Sequence, residues 1–251
     1  ARERLHASAR LVGFAGVVSK RDQGNFENGD GIRVPFTDRE TWSGLFKGYL
    51  RPTVDSKLSV GGVFYDSDFT ANSYLQNINV QTFSMGYAYR PLHNPLVDFK
   101  LNASRTETEM TYLKGIAGIF SPSAGRRIDD TGYGFDISNK SRFRWGAVGV
   151  VLDYGAEHFQ NEVSTALGGA NADGEASIGG AFTQATFSYG IFDLIAGLRF
   201  DQYTLEGKGS VPAKAPVGAP VPPGPAFEVD QDEGRVHPKV PLAAQPPPWL
   251  Q

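Results

Sequence analysis

The chain has 251 residues, a net charge of −3, 40% hydrophobic residues, 30 glycines and no cysteine. The lack of cysteine removes disulfides, thiolate metal sites and cysteine nucleophiles, and the acidic balance argues against a nucleic-acid partner. No run of about 18 apolar residues occurs, so membrane-spanning helices are excluded. A membrane barrel escapes that test, because only every second residue of its strands meets lipid.

In chain order, ten segments alternate apolar and polar side chains: near 5–16, 41–50, 57–66, 82–90, 97–110, 131–141, 147–160, 181–190, 192–205 and 234–244. In the fourth, Phe83, Met85, Tyr87 and Tyr89 share one face while Thr82, Ser84, Gly86, Ala88 and Arg90 share the other. The fifth repeats this, with Val97, Phe99, Leu101 and Ala103 against Asp98, Lys100, Asn102 and Ser104. Successive strand side chains point to opposite faces, so each segment has one apolar wall and one wet wall.

The connections alternate in length. Those at 51–56, 91–95, 142–146 and 190–191 are tight, whereas those at 17–40, 67–81, 111–130, 161–180 and 206–233 are long. Placing every long loop at one end is the habit of an outer-membrane barrel, with short periplasmic turns and long external loops. The expected fold is therefore all-β: an antiparallel up-and-down transmembrane β-barrel of about ten strands in contact with outer-membrane lipid. Leu194 and Leu198 join the outward set, and Asp136, Asp193, Arg199 and Asp201 the inner one. Two aromatic girdles are expected. Tyr49, Tyr87, Tyr89, Trp145, Phe187, Tyr189 and Phe192 lie beside the tight turns, and Phe64, Tyr65, Phe200 and Tyr203 toward the long loops. The competing reading is a soluble sandwich that buries the same apolar residues between two sheets.

No catalytic constellation emerges, and an enzyme is not expected. Gly207-Lys208-Gly209-Ser210 lacks the spacing of a phosphate loop, and Glu157-His158 has no second histidine four residues on. Asp66-Ser67-Asp68 opens like a calcium loop but lacks its glycine and terminal glutamate. Residues 211–225, dense in Pro, Ala and Gly, read as an extended external loop rather than a domain linker.

Several segments resemble TonB-dependent outer-membrane receptors, most closely their haem/haemoglobin branch. They are Gly-Val-Phe-Tyr-Asp-Ser-Asp-Phe at 62–69, Asn-Ala-Ser-Arg-Thr-Glu-Thr-Glu at 102–109 and Gly-Phe-Asp-Ile-Ser-Asn-Lys-Ser-Arg-Phe at 134–143. Leu-Asp-Tyr-Gly-Ala-Glu-His-Phe at 152–159 and Glu-Gly-Arg-Val-His-Pro-Lys-Val at 233–240 complete the series. The resemblance implies a 22-stranded barrel with a plugged lumen. It also implies import of an iron-bearing ligand such as haem, driven by a TonB-type inner-membrane partner acting through the plug. Within residues 1–251 the expected departures from that pattern are a plug domain, a partner-binding box and a signal core, none of which is visible in the sequence. Residues 1–251 are therefore expected to be a partial receptor barrel. A siderophore receptor of the same family, or a complete small porin-like or adhesin-like barrel, is the alternative.

No resident cofactor or metal is expected; haem enters as a candidate transported ligand. For a flat apolar ligand with carboxylates, the long connection 111–130 is the most suggestive. Tyr112, Ile116, Ile119 and Phe120 offer apolar surface and Arg126 and Arg127 adjacent positive charge, extended by Tyr74 and Leu75 from the neighbouring long loop. Imidazole ligates haem iron, so His158 and His237, near external strand ends, are further candidates, with ordinary lumen or rim positions as the alternative.

Overall fold

The computed structural model describes residues 11–71, 74–116, 124–166, 172–210 and 224–244. They form β1 (Val12–Gln23), β2 (Arg39–Leu50), β3 (Ser56–Ala71), β4 (Tyr74–Tyr89), β5 (Phe99–Gly115) and β6 (Arg127–Trp145). Then follow β7 (Val148–Ala166), β8 (Asp173–Tyr189), β9 (Phe192–Ser210), β10 (Ala226–Lys239) and β11 (Leu242–Ala244). All lie in one antiparallel sheet ordered β1 to β10, each strand hydrogen-bonded to its neighbours in sequence, with β11 continuing along β9 beyond β10. Pro241 separates β10 from β11, while Pro238 sits opposite Leu198 on the outermost strand, where a missing ladder donor is tolerated.

The register assigns faces. Leu50, Leu58, Tyr87, Leu101, Ile137, Ala156, Ala181 and Phe200 stand opposite one another in a single row across the sheet. They share an outer face with Phe83, Met85, Phe135, Leu194 and Leu198. Asp98, Lys100, Asp136, Asp193, Arg199 and Asp201 lie on the inner face, as expected from the sequence. The outer apolar residues are not covered: Phe83 is 55% exposed and Leu198 50%. Among the described residues only Val150 is a buried hydrophobic. A sandwich would hide these side chains, so that reading is excluded; an apolar wall this bare requires lipid against it.

The stagger agrees. Leu50 ends β2 at the row that reaches Phe200, yet β9 runs eight residues past Phe200 down to Phe192. Across the seven strand spacings from β2 to β9 that offset is roughly 26 Å along the strands against roughly 34 Å across them. The tilt is thus about 38°, within the range that closing a barrel demands. Along this slope the upper edge of the apolar band is marked by Trp42, Phe64, Phe83, Tyr133 and Phe200, and the lower by Tyr89, Phe99, Trp145, Tyr189 and Phe192. Tyr49, Tyr65 and Tyr203 do not belong to the girdles. Their strand phase turns them inward, and the Tyr49 ring instead carries Lys57 Nζ at 5.3 Å from its centroid.

Two other expectations change. The first strand lies at Val12–Gln23 rather than 5–16, and residues 1–10 are outside the described part. The expected long loop 67–81 is mostly strand, because β3 runs on to Ala71 and β4 starts at Tyr74. Above the band the faces exchange polarity. Asp66, Asp68, Asn77 and Asn79 point outward, where Asn79 Nδ2 donates to Asp66 Oδ2 at 3.0 Å and Asn77 Nδ2 to Asp68 Oδ1 at 2.7 Å. Val63, Val80 and Ile78 point inward. Strands of up to 19 residues thus outreach a band that needs only about ten.

Glycines facing rings tighten β2 against β3. Gly62 opposes Phe46 and Gly44 opposes Phe64, each ring lying over the glycine. A Cβ at position 62 would run into the Phe46 ring. Gly62→Ala should therefore cost about 1 kcal/mol through overpacking, read as a lower denaturant midpoint for folding into lipid vesicles. An unchanged midpoint would show that the ring swings away freely.

Candidate ligand-binding face at the long-loop end

At the top of the inner face, three strand ends converge. Between β4 and β5 the register slips at Leu75/Gln76: Leu75 opposes Lys114 while Gln76 opposes Tyr112, so Leu113 is the extra residue of a bulge. The bulge keeps Tyr112 and Gln76 in one row facing inward. Tyr112 N–H donates to the Arg126 carbonyl at 2.8 Å, and Gly125 N–H donates to the Tyr112 carbonyl at 2.6 Å. Gly125 adopts φ +84°, a left-handed conformation open to glycine without strain, which turns the chain so that Arg126 comes back over Tyr112.

The side chains stack in sequence. The Tyr74 and Tyr112 rings meet edge to face with centroids 5.2 Å apart, and Arg126 Cζ lies 5.7 Å from the Tyr112 centroid. Arg126 Nε and Nη2 are buried and have no hydrogen-bond partner. Beside Tyr112, Gln76 is fully buried; its Nε2 donates to the Ala71 carbonyl at 2.8 Å and its Oε1 is unpartnered. Buried polar groups left unmade cost about 1–3 kcal/mol each. Two guanidinium donors beside aromatic rings therefore form a cradle complementary to a carboxylate on an apolar body.

Of the residues singled out from sequence, the structure brings together Tyr74, Tyr112 and Arg126. Tyr74, Leu75 and Tyr112 are strand residues, not loop residues, because β4 and β5 extend beyond the membrane band. Arg127 does not join them. Adjacent strand residues face opposite ways, and Arg127 points outward to Glu109 Oε2 and Asp129 Oδ1, each at 2.9 Å. Phe120 and Ile119 lie outside the described residues. His158 is on the outer, lipid-side face, opposite Gly179 and with its ring 5.7 Å from that of Phe135, so it does not reach the lumen. His237 does face inward, but on β10, where Nε2 stands 3.6 Å from Asp201 Oδ2 beside the Arg199–Glu157 pair, away from the tyrosines. Gln76 was not anticipated. Its signal was present in the alternation of Asn77, Ile78, Asn79, Val80 and Gln81, which marks a strand at its position.

A tilted antiparallel meander with a bare apolar outer face and a polar inner wall defines a segment of an outer-membrane-type β-barrel. Residues 14–251 match the family model described as "TonB dependent receptor-like, beta-barrel". The chain belongs to that family. Among curated proteins, none matches it by sequence. A solved structure it is similar to is a double mutant of the Serratia marcescens hemophore receptor HasR with its hemophore HasA and heme. That likeness has a TM-score of 0.68 at 19% identity, covering 94% of this chain and 40% of that one. The ferric-catecholate import receptor Fiu of E. coli K12 in its open form gives 0.67 at 11% identity, covering 94% and 48%. The FrpB iron transporter of Neisseria meningitidis, F3-3 variant, gives 0.67 at 13%, covering 96% and 41%. At these identities the likeness establishes the fold, and the chain spans less than half the length of each.

Proposed function

We propose that these strands serve a bacterial outer-membrane receptor that imports an iron-bearing ligand. The ligand is haem, free or taken from a haemoprotein, and a TonB-type inner-membrane partner supplies the energy. The observation that carries this reading is the mouth cluster. Arg126 offers two buried, unpartnered donors beside Tyr112, whose ring in turn meets that of Tyr74, as a planar apolar molecule with acidic edges requires. The fold of the haem-bearing HasR complex supports it, while the iron-receptor likenesses keep ferric chelates of small siderophores as the alternative.

A charge-assisted hydrogen bond is worth about 1.5–3 kcal/mol, so Arg126→Ala in the full-length receptor should weaken haem binding roughly 10- to 100-fold. Haem-supported growth should fall with it. Tyr112→Ala should weaken binding by a smaller factor, and Arg127→Ala, whose cation is spent on Glu109 and Asp129, should leave affinity unchanged. Equal, wild-type affinity in all three would remove this cluster from recognition. Binding of a ferric chelate but not of haem would favour the siderophore reading.

A further inference from the structure

We propose, resting on the haem reading above, that Gln76 is a specificity residue that demands a hydrogen-bond donor from the ligand. Haem then binds with one carboxylate on Arg126 and its second carboxyl still protonated on Gln76.

Two unmet groups of opposite kind flank one ring. Gln76 stands opposite Tyr112 and is fully buried, and its Oε1 lacks a donor. Arg126 lies over the same ring, and its Nε and Nη2 lack an acceptor. The amide gains nothing by turning over. Its Nε2 donates to the Ala71 carbonyl at 2.8 Å, and exchanging its two ends would set oxygen against oxygen. That bond ties Gln76 to the end of β3 while Arg126 is stacked on Tyr112, so the two do not satisfy each other. All three atoms are shut off from water. Their partners therefore arrive with the ligand, once the side chains covering them part.

The two needs differ. Arg126 calls for an acceptor, and an ionised carboxylate is the strongest. Gln76 Oε1 calls for an O–H or N–H, which a carboxylate lacks. Haem carries two carboxyls and no other polar hydrogen. With one free cation for both in a site without water, ionising the second is penalised, and its proton stays to bond Oε1. The groups that face this pair are the phenols of Tyr74 and Tyr112 and, across Phe69 from Gln76, the Arg39 guanidinium. Arg39 is already engaged by Ser67 and Tyr65. No carboxylate or imidazole is among these groups, so the proton belongs to the ligand.

A free carboxyl of this kind ionises at about pH 4.3, and the bound one holds its proton above that. Binding thus takes up a proton, and affinity falls as pH rises. For the full-length receptor, haem affinity should drop about tenfold or more between roughly pH 5.5 and 7.5. Haem monomethyl ester gives Arg126 its carboxylate but has no second acid, so its affinity should stay level over that range. The ester also controls for protons taken up by the iron's own water or elsewhere in the protein. Gln76→Leu should weaken haem binding about fivefold at the acid end and converge on wild type at the alkaline end. Tight haem binding that is flat with pH, or an ester that falls as steeply as haem, would overturn the role of Gln76 and leave haem import standing. Failure of haem to bind at any pH would remove the import reading, and the role of Gln76 with it.

Discussion

Placing an arginine at Ile137 should cost about 2 kcal/mol of folding stability in a bilayer, the penalty for a cation on a lipid-facing strand between the midplane and the interface. Ile137 lies on the outer face of β6, four residues below Tyr133 at the upper aromatic edge and eight above Trp145 at the lower. Its row neighbours are Leu101 and Ala156, neither of which offers the new charge a partner. The matched control is Gln184→Arg on the inner face of β8, opposite Asp153, which should change stability by no more than about 0.5 kcal/mol. Denaturant-titrated folding of the full-length barrel into vesicles reads both. Equal penalties at the two positions, whether both small or both large, would defeat the assignment of faces. A larger penalty at position 184 would invert it.

The fold was legible because alternation survives in every strand that crosses the band. Phe83, Met85 and Tyr87 against Ser84, Gly86 and Ala88 state a face without any tertiary information. What misled was the region above the band. There the outer wall meets water and the inner wall meets the mouth, so the apolar and polar phases exchange. Asn77 and Asn79 on the outside with Ile78 and Val80 on the inside still alternate, but out of phase with Phe83, and the break looked like a loop. The same effect hid Gln76 and placed Tyr74 and Tyr112 on strands where loops were expected. Arg126 and Arg127 show a second limit. Adjacent in sequence, they looked like one positive patch, yet once β6 is recognised as starting there, their side chains must part. The pairing of Tyr74 with Tyr112 depends on the bulge at Leu75/Gln76, a one-residue slip that no periodicity announces. His158 shows a third limit: polar by type, it lies on the lipid-side face at the upper edge of the band, where an imidazole is tolerated.

Residues 1–251 expressed alone should fail to form a stable monomeric barrel in lipid. The reason is the two edges of the sheet. Among the described strands β1 pairs only with β2, and β10 only with β9, so each presents one row of backbone groups to its surroundings. A strand spends about ten residues in the hydrocarbon, and half of its N–H and C=O groups point to each side. Each edge thus leaves on the order of ten unsatisfied groups, at several kcal/mol apiece, a penalty no set of side-chain contacts offsets. Curling to bring β1 onto β10 would relieve it only by tightening the curvature, against mostly exposed edge strands, one ending at Lys239 just before Pro241. The expected result is a chain that aggregates through its edges or stays at the vesicle surface, sensitive to protease and without heat-modifiable migration. The same strands continued by further strands on both sides should insert and acquire that migration. A protease-resistant, heat-modifiable monomer from residues 1–251 alone would show instead that ten strands close on themselves, and would favour the small complete barrel.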